Sequence, residues 1–182
     1  IRALAFPMTK DRHATHQAWE ANARTIAAVT TAGRQAAFLT LGDPLTFSTF
    51  GYILKYMRRL YPDLPVVTVP GITAYQASAA ALNMPLVEGE QSLLVVSGAY
   101  GGNRLAGQIE KPDTVVFMKA YRNAGDITDA LIENHMLENS VAVANCSLEN
   151  EEVIEDVSSL KQRAPGYWTL ILAKKNGHHG TS

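Results

Sequence analysis

Two apolar runs of strand length, each ended by a glycine turn and followed by a helical pattern, constrain this fold more than any other feature. The first run, QAAFLTL at residues 35–41, ends at Gly42 and Asp43. The second run, PVVTVP at residues 65–70, ends at Gly71. Continuous apolar runs are typical of strands covered on both faces, and strands that alternate with helices form parallel sheets. The chain is therefore predicted to be α/β with a mainly parallel sheet.

The remaining periodicity divides the chain into two halves. In the first half, residues 1–6 are predicted to form a buried strand, and Asp11 can cap a helix that continues to about Ala32. The second half contains five strand-like runs, and little helical sequence separates the last two, which predicts an antiparallel portion. We expect two small α/β domains, at residues 1–87 and 88–182.

Composition excludes several classes of function. The net charge is −1, so the chain lacks the basic excess that a nucleic-acid-binding protein needs. No apolar run approaches the roughly 20 residues of a membrane-spanning helix, and no signal peptide opens the chain. The single cysteine, Cys146, excludes an internal disulfide, which agrees with a cytoplasmic location. We expect neither nucleic acid nor membrane as a partner.

The sequence does not predict a metal site. His13 and His16 lie one helical turn apart, but no third ligand is near them in the sequence, so a surface position is the better interpretation. The polar C-terminal segment contains His178 and His179, which we do not interpret as metal ligands either.

The two glycine turns are the best candidates for a ligand site. In α/β sheets, ligands bind beyond the carboxyl ends of the strands, and helix starts offer unpaired backbone N–H groups there. Asp43 could accept hydrogen bonds from a ligand ammonium or ribose hydroxyl group. Either loop alone is equally compatible with simple helix capping by Asp43 and Thr73, whereas the pair together favours a ligand site.

Two further features allow a structural or a functional interpretation. The glycine-rich residues 97–102 could hold a phosphate, but a strand-to-helix turn is the better interpretation. Met118 and Cys146 each end a strand-like run, and such residues are more often simple core, although both would point at the same interdomain cleft.

Several motifs, in this order, resemble those of the tetrapyrrole methylase family. They are GDPLTFSTFGYI, VPGITAYQASAAALNMPL and VVFMK, and the resemblance extends over nearly the whole chain. FPMTKDR and the TFSTF variant look most like the precorrin-2 or cobalt-factor II C20-methyltransferase branch, from cobalamin biosynthesis. The resemblance implies a homodimer of two-domain α/β subunits, with S-adenosylmethionine in the cleft between the domains. It also implies methyl transfer to a carbon of a reduced tetrapyrrole.

The resemblance further implies which residues bind the cofactor, whereas no motif names a catalytic base. The cofactor-binding residues would be Gly42, Asp43, Thr46, Ser48, Thr49, Thr73, Ala74, Met118 and Cys146. An acidic tetrapyrrole needs cations, and Arg12 and Arg122 lie in segments that should open on the cleft. Arg58 and Arg59 should instead face away on a helix surface.

One part of the family pattern has no counterpart here. The family begins with a strand and a Gly-Pro-Gly-Asp-type loop, and Ile1 falls after them. We therefore expect the N-terminal portion to be incomplete, with part of the cleft absent if the polypeptide starts at Ile1. Two alternatives stay open: a methylase of the same family with another target, and a non-catalytic relative that binds tetrapyrrole or S-adenosylmethionine.

Overall fold

The computed structural model describes residues 1–175 and forms two compact units, Ile1–Thr73 and Ala74–Ser182. The units divide before the expected domain limit at residue 87, and that limit stays a prediction. His178 and His179 lie outside the described residues.

The helices and strands have the following bounds. The first unit contains α1 (Arg12–Thr31) and α2 (Phe50–Leu60). The second unit contains α3 (Ala74–Ala81), β1 (Leu93–Ser97), α4 (Asn103–Ala106), β2 (Thr114–Met118), α5 (Ala124–Glu133), β3 (Ser140–Ala144), β4 (Glu152–Ile154) and β5 (Thr169–Lys174). Short 3₁₀ helices lie at Gly98–Tyr100, Leu137–Asn139 and Val157–Lys161. Within residues 1–175, no helix combines the length and apolar character needed to cross a membrane.

The first unit is built on α1 and α2. The Asp11 carboxylate caps α1 by accepting hydrogen bonds from the N–H groups of His13 and Ala14, at 2.8 and 3.2 Å. Gly33, just beyond the helix, has a φ of +75°, so the predicted start and end of this helix are confirmed. The apolar side of α2 packs on α1 in one buried cluster that includes Ala23 and Ile53.

The strands predicted in the first unit are not formed among the described residues. Residues 1–6, 35–41 and 65–70 are assigned to no strand. Leu39 and Val67, which should have been covered on both sides, are each 87% exposed. An apolar run forms a strand only where a neighbour pairs with its backbone groups. No described segment provides that pairing, so this prediction is wrong.

The second unit contains one five-stranded sheet with the order β1-β2-β5-β3-β4. β1 and β2 are parallel, whereas β5 runs antiparallel between β2 and β3, and β4 is antiparallel to β3. The α/β class and the antiparallel portion are confirmed. The prediction of a mainly parallel sheet is wrong. Residues 145–151 connect β3 directly to β4, so the chain reverses direction there, and β5 keeps the direction of β4 where it pairs with β2 and β3.

Each face of this sheet has its own apolar cluster. Val115 and Phe117 lie on one face, where Ile127 and Leu131 of α5 cover them. We call the cluster on the other face the Met84 cluster. Its buried members are Met84, Val116, Val143, Leu170 and Leu172, and half-buried residues on it include Tyr75, Met118 and Cys146.

Candidate functional site

The carboxylate of Asp43 joins the two predicted ligand loops in the first unit. Its Oδ1 accepts hydrogen bonds from the N–H of Leu45 at 2.9 Å and from Oγ1 of Thr46 at 3.0 Å. Its Oδ2 accepts a hydrogen bond from the N–H of Gly71 at 3.3 Å. These bonds, with the Leu45 N–H contributing most, hold the pKa of the Asp43 carboxyl below its ordinary value. Asp43 thus caps no helix, and its carboxylate organises both loops.

Each of the two loops needs a glycine at its turn, for a different reason. Gly42 has a φ of +72°, a conformation that residues with a side chain rarely adopt. A Cβ atom on Gly71 would lie 2.4 Å from the carbonyl oxygen of Gly42. The structure therefore brings together the two glycine turns that the sequence singled out, and the close approach is between the turns themselves.

The hydroxyl groups of the first loop differ in what they contact. Ser48 Oγ accepts a hydrogen bond from the N–H of Phe50 and lies 3.2 Å from Oγ1 of Thr40, so it organises the start of α2. Thr49 precedes α2, but its side chain makes no capping hydrogen bond. In the second loop, Thr73 is 6% exposed and directly precedes Ala74, the first residue of α3.

In the second unit, Met118 and Cys146 pack against the same cluster. Met118 is the last residue of β2, and Cys146 comes two residues after β3. Both are half-buried and lie against the Met84 cluster, together with Tyr75 of α3. The structure therefore brings these two predicted site residues to one face of the sheet.

Three residues in left-handed conformations follow the ends of β2 and β3. Lys119, Asn145 and Ser147 have φ angles of +59°, +53° and +64°. Such a conformation costs about 1–3 kcal/mol in a non-glycine residue and is often found at functional sites. Thr169, at the start of β5, has a buried hydroxyl group with no hydrogen-bond partner among residues 1–175. Sequence reasoning missed these features, for which the only local signal is that asparagine tolerates this conformation better than most residues.

The two arginines proposed for substrate binding are both exposed. Arg12 is the first residue of α1. The guanidinium carbon of Arg122 lies 5.2 Å from the ring centroid of Tyr121, whose ring is 4.9 Å from that of Tyr167. Arg59, in contrast, pairs with Glu20 at 3.2 Å. The assignment of Arg12 and Arg122 to the substrate stays a prediction.

Other groups that the sequence raised have local roles. His13 bonds to Gln17 at 2.8 Å, and Nδ1 of His16 lies 2.7 Å from the hydroxyl group of Tyr56. Among residues 1–175, no group of three or more His, Cys, Asp or Glu side chains could hold a metal ion. A Cβ atom on Gly102 would lie 2.2 Å from that of Ala130, so this glycine packs tightly on α5, in agreement with the turn interpretation.

Two surface cavities of the second unit lie elsewhere. One, of about 570 Å³, is lined by residues such as Gln76 and Asn83, and the other, of about 690 Å³, by residues such as Ser92 and Lys111. Neither is lined by a predicted site residue. Both are open to solvent. The loops are the stronger candidates for a ligand site, because backbone geometry and hydrogen bonds converge there.

Comparison with known proteins gives a consistent result. The tetrapyrrole (corrin/porphyrin) methylases match residues 1–161. The cobalt-precorrin-2 C(20)-methyltransferase of Salmonella typhimurium is 31% identical over 96% of this chain and 73% of its own length. A probable enzyme of the same name from Methanocaldococcus jannaschii is 36% identical over 65% of this chain. The match spans about half, 48%, of that relative's length.

Solved structures of uroporphyrin-III C-methyltransferases have a fold similar to that of this chain. The uroporphyrin-III-C-methyltransferase of Thermus thermophilus has a TM-score of 0.67 and 27% identity, over 86% of this chain and 71% of that one. The structure of the Thermus enzyme with S-adenosylhomocysteine gives a TM-score of 0.56 at 21% identity, over 91% of this chain and 74% of that one.

Proposed function

The chain belongs to the tetrapyrrole methylase family, and from that premise we propose that it methylates C20 of precorrin-2 or cobalt-factor II in cobalamin biosynthesis. The observation that carries the proposal is the relationship, over 96% of the chain, to a cobalt-precorrin-2 C(20)-methyltransferase. The relatives support a methyltransferase that depends on S-adenosylmethionine. The preference for C20 rests on the same relatives, because no described side chain identifies a ring carbon.

Several local features support the residues proposed to bind S-adenosylmethionine. The Gly42 turn has an exposed backbone with a left-handed residue, and the Thr49 hydroxyl group is not used for capping. Met118 and Cys146 offer half-buried, polarisable sulfur on one apolar face. The full set is Gly42, Asp43, Thr46, Ser48, Thr49, Thr73, Ala74, Met118 and Cys146.

The chemistry asks little of the protein beyond positioning. The sulfonium methyl group of the cofactor is already electrophilic. The chain's own residues then have to hold the cofactor and orient the macrocycle, which is the main source of catalysis when both reactants are bound. Arg12 and Arg122 would orient the macrocycle by contacting its carboxylates. Family membership supports the tetrapyrrole as substrate, while a homodimeric state and a cytoplasmic location are further parts of the proposal.

Cofactor binding can be tested through the only cysteine of the chain. We expect S-adenosylhomocysteine to slow the alkylation of Cys146 by iodoacetamide and to give heat in calorimetric titration, whereas ATP should do neither. Because the chain has one thiol, alkylation detected by mass spectrometry can be assigned to Cys146. Equal alkylation with and without S-adenosylhomocysteine, together with no heat at millimolar ligand, would exclude this cofactor.

The reaction itself is tested with precorrin-2, with cobalt-factor II, and with S-adenosylmethionine labelled with ¹³C in its methyl group. We expect one added methyl group by mass spectrometry and a single ¹³C signal from C20. A label on another ring carbon would move the chain to a different member of the family.

One observation favours the alternative of a relative that binds without transferring a methyl group. Residues 35–41 and 65–70, which lead into the two loops, are not paired in a sheet among the described residues. Catalysis depends on geometry more steeply than binding does. Protection of Cys146 without any product from either macrocycle would support this alternative.

A further inference from the structure

Both oxygens of the Asp43 carboxylate are directed at protein groups. Oδ1 accepts hydrogen bonds from the N–H of Leu45 and the hydroxyl group of Thr46, which lie in its own loop. Oδ2 accepts a hydrogen bond from the N–H of Gly71, which lies 28 residues further along the chain. Charge-assisted hydrogen bonds of this kind are stronger than neutral ones. The carboxylate is therefore used to organise the protein around it.

The bond to Gly71 matters because no strand pairing joins the segments behind the two turns. Residues 35–41 and 65–70 form no ladder among the described residues. In a sheet, the ladder between adjacent strands would hold their ends together. Here a side chain crosses from one turn to the other, and the space between the turns is too small for a Cβ atom on Gly71.

We propose that Asp43 is a positioning residue whose carboxylate holds the turn at Gly71 against the turn at Gly42. Thr73 and Ala74 follow Gly71 by two and three residues, so the position of the second loop depends on this bond. The consequence for the cofactor rests on the proposed function. The hydrogen bond from the N–H of Gly71 to the Asp43 carboxylate, which we call the tie, is present in the ligand-free protein and can be measured without any ligand.

Asparagine at position 43 separates this role from simple filling of space. Its side chain has the same shape, but one carboxylate oxygen is replaced by an NH₂ group that can only donate. An asparagine that accepts from Leu45 and Thr46 turns this donor toward the N–H of Gly71. The neutral isostere therefore keeps the local turn and loses the tie between the loops.

The first experiment measures amide exchange at Gly71 by NMR in the ligand-free protein. Asp43→Asn should speed exchange of this amide by roughly tenfold, the value of one charge-assisted hydrogen bond. Thr46→Val, which changes only the local turn, should leave it within about twofold of wild type, a difference too small to represent a lost hydrogen bond.

The matched control is Asp156→Asn. Asp156 also accepts from a backbone N–H and a hydroxyl group, both of Ser158, and its substitution should not alter exchange at Gly71. Amides in α1 and α2 report any unfolding of the first unit, which contains Gly71. Unchanged exchange at Gly71 in Asp43→Asn would overturn the proposal, as would an equal increase in Asp156→Asn.

The second experiment measures affinity for S-adenosylhomocysteine. Asp43→Asn should weaken binding by about tenfold, because the bond from Gly71 is lost, and Asp43→Ala should weaken it at least as much, because the bonds from Leu45 and Thr46 are lost as well. Full affinity in Asp43→Asn, together with fast exchange at Gly71, would overturn the claim that the tie positions the binding loop. If the wild-type protein binds no S-adenosylhomocysteine, the proposed function fails, and exchange at Gly71 still decides whether Asp43 holds the turn.

Discussion

The hydroxyl group of Thr114 donates a 2.6 Å hydrogen bond to the carbonyl oxygen of Leu86. Beside it, Nζ of Lys174 donates to the carbonyl oxygen of Pro85 at 2.9 Å. These bonds join the segment after α3 to the first residue of β2 and the last residue of β5. Because Met84 directly precedes that segment, they help to keep it on the sheet face that carries two of the proposed cofactor residues.

Thr114→Val should lower the free energy of unfolding by about 1 kcal/mol, the usual value of a hydrogen bond between protein groups. Valine keeps the shape of threonine, so the change isolates the hydroxyl group. Thr169→Val is the matched control, because the Thr169 hydroxyl group is buried and has no partner in the described part of the chain, so its loss should leave stability equal or higher. Urea denaturation of both variants checks this, and a larger loss in Thr169→Val than in Thr114→Val would contradict it.

The local features of this fold are readable in the sequence, and the long-range ones are not. Asp11 and Gly33 act on neighbouring backbone groups, so the limits of α1 could be predicted. That residues 35–41 would stay unpaired could not be predicted, because a ladder depends on a second segment that an apolar pattern does not identify. Likewise, Asp43 was predicted as a site residue, but its bond to Gly71 depends on tertiary structure alone.

The same distinction applies to the predicted site residues of the second unit. Met118 and Cys146 could be placed at strand ends because each ends an apolar run of clear length, whereas the sheet face they share is known only from the structure. The left-handed conformation of Lys119 could not be predicted, since lysine has no preference for it. The family resemblance supplied the roles of these residues, and the physical pattern supplied only their positions.

Gly102→Ala should destabilise the second unit by about 1–3 kcal/mol, because the new methyl group would overlap Ala130 of α5. The control is Gly125→Ala in α5, the helix that Gly102 contacts. A Cβ atom at Gly125 meets nothing within 4 Å, and alanine in place of a helical glycine stabilises by up to about 1 kcal/mol. Thermal unfolding of the two variants should therefore shift in opposite directions. A neutral Gly102→Ala would show that residues 97–102 are held less tightly than the structure indicates.

Asp113 should make stability depend on pH. Its carboxylate accepts from the N–H and the hydroxyl group of Ser92, at 2.8 and 2.9 Å, which join the starts of β1 and β2. The Ser92 N–H is the largest cause that lowers the pKa of Asp113. A lowered folded-state pKa stabilises the protein above the ordinary value, and this contribution is lost as pH falls through the folded-state value.

The check is the free energy of unfolding of Asp113→Asn against wild type over a series of pH values. The variant should be less stable at neutral pH, and the difference should shrink as pH falls through the ordinary aspartate value, about 3.9, toward the lower folded-state value. Asp63→Asn, at an exposed position, controls for the change in net charge. A difference that stays constant with pH would show that the Asp113 charge does not contribute.

Arg122→Gln should raise the KM for the tetrapyrrole about two- to fivefold with little change in kcat, since an exposed ion pair contributes up to about 1 kcal/mol. The macrocycle carries several carboxylates, and the exposed Arg122 guanidinium is held beside the Tyr121 ring, where it could meet one of them. Arg58→Gln removes another exposed cation, from the last turn of α2, and should change neither constant. Because salt screens exposed charges, the KM ratio of Arg122→Gln to wild type should approach one as ionic strength rises. Equal effects of the two substitutions at low salt would remove Arg122 from the substrate site.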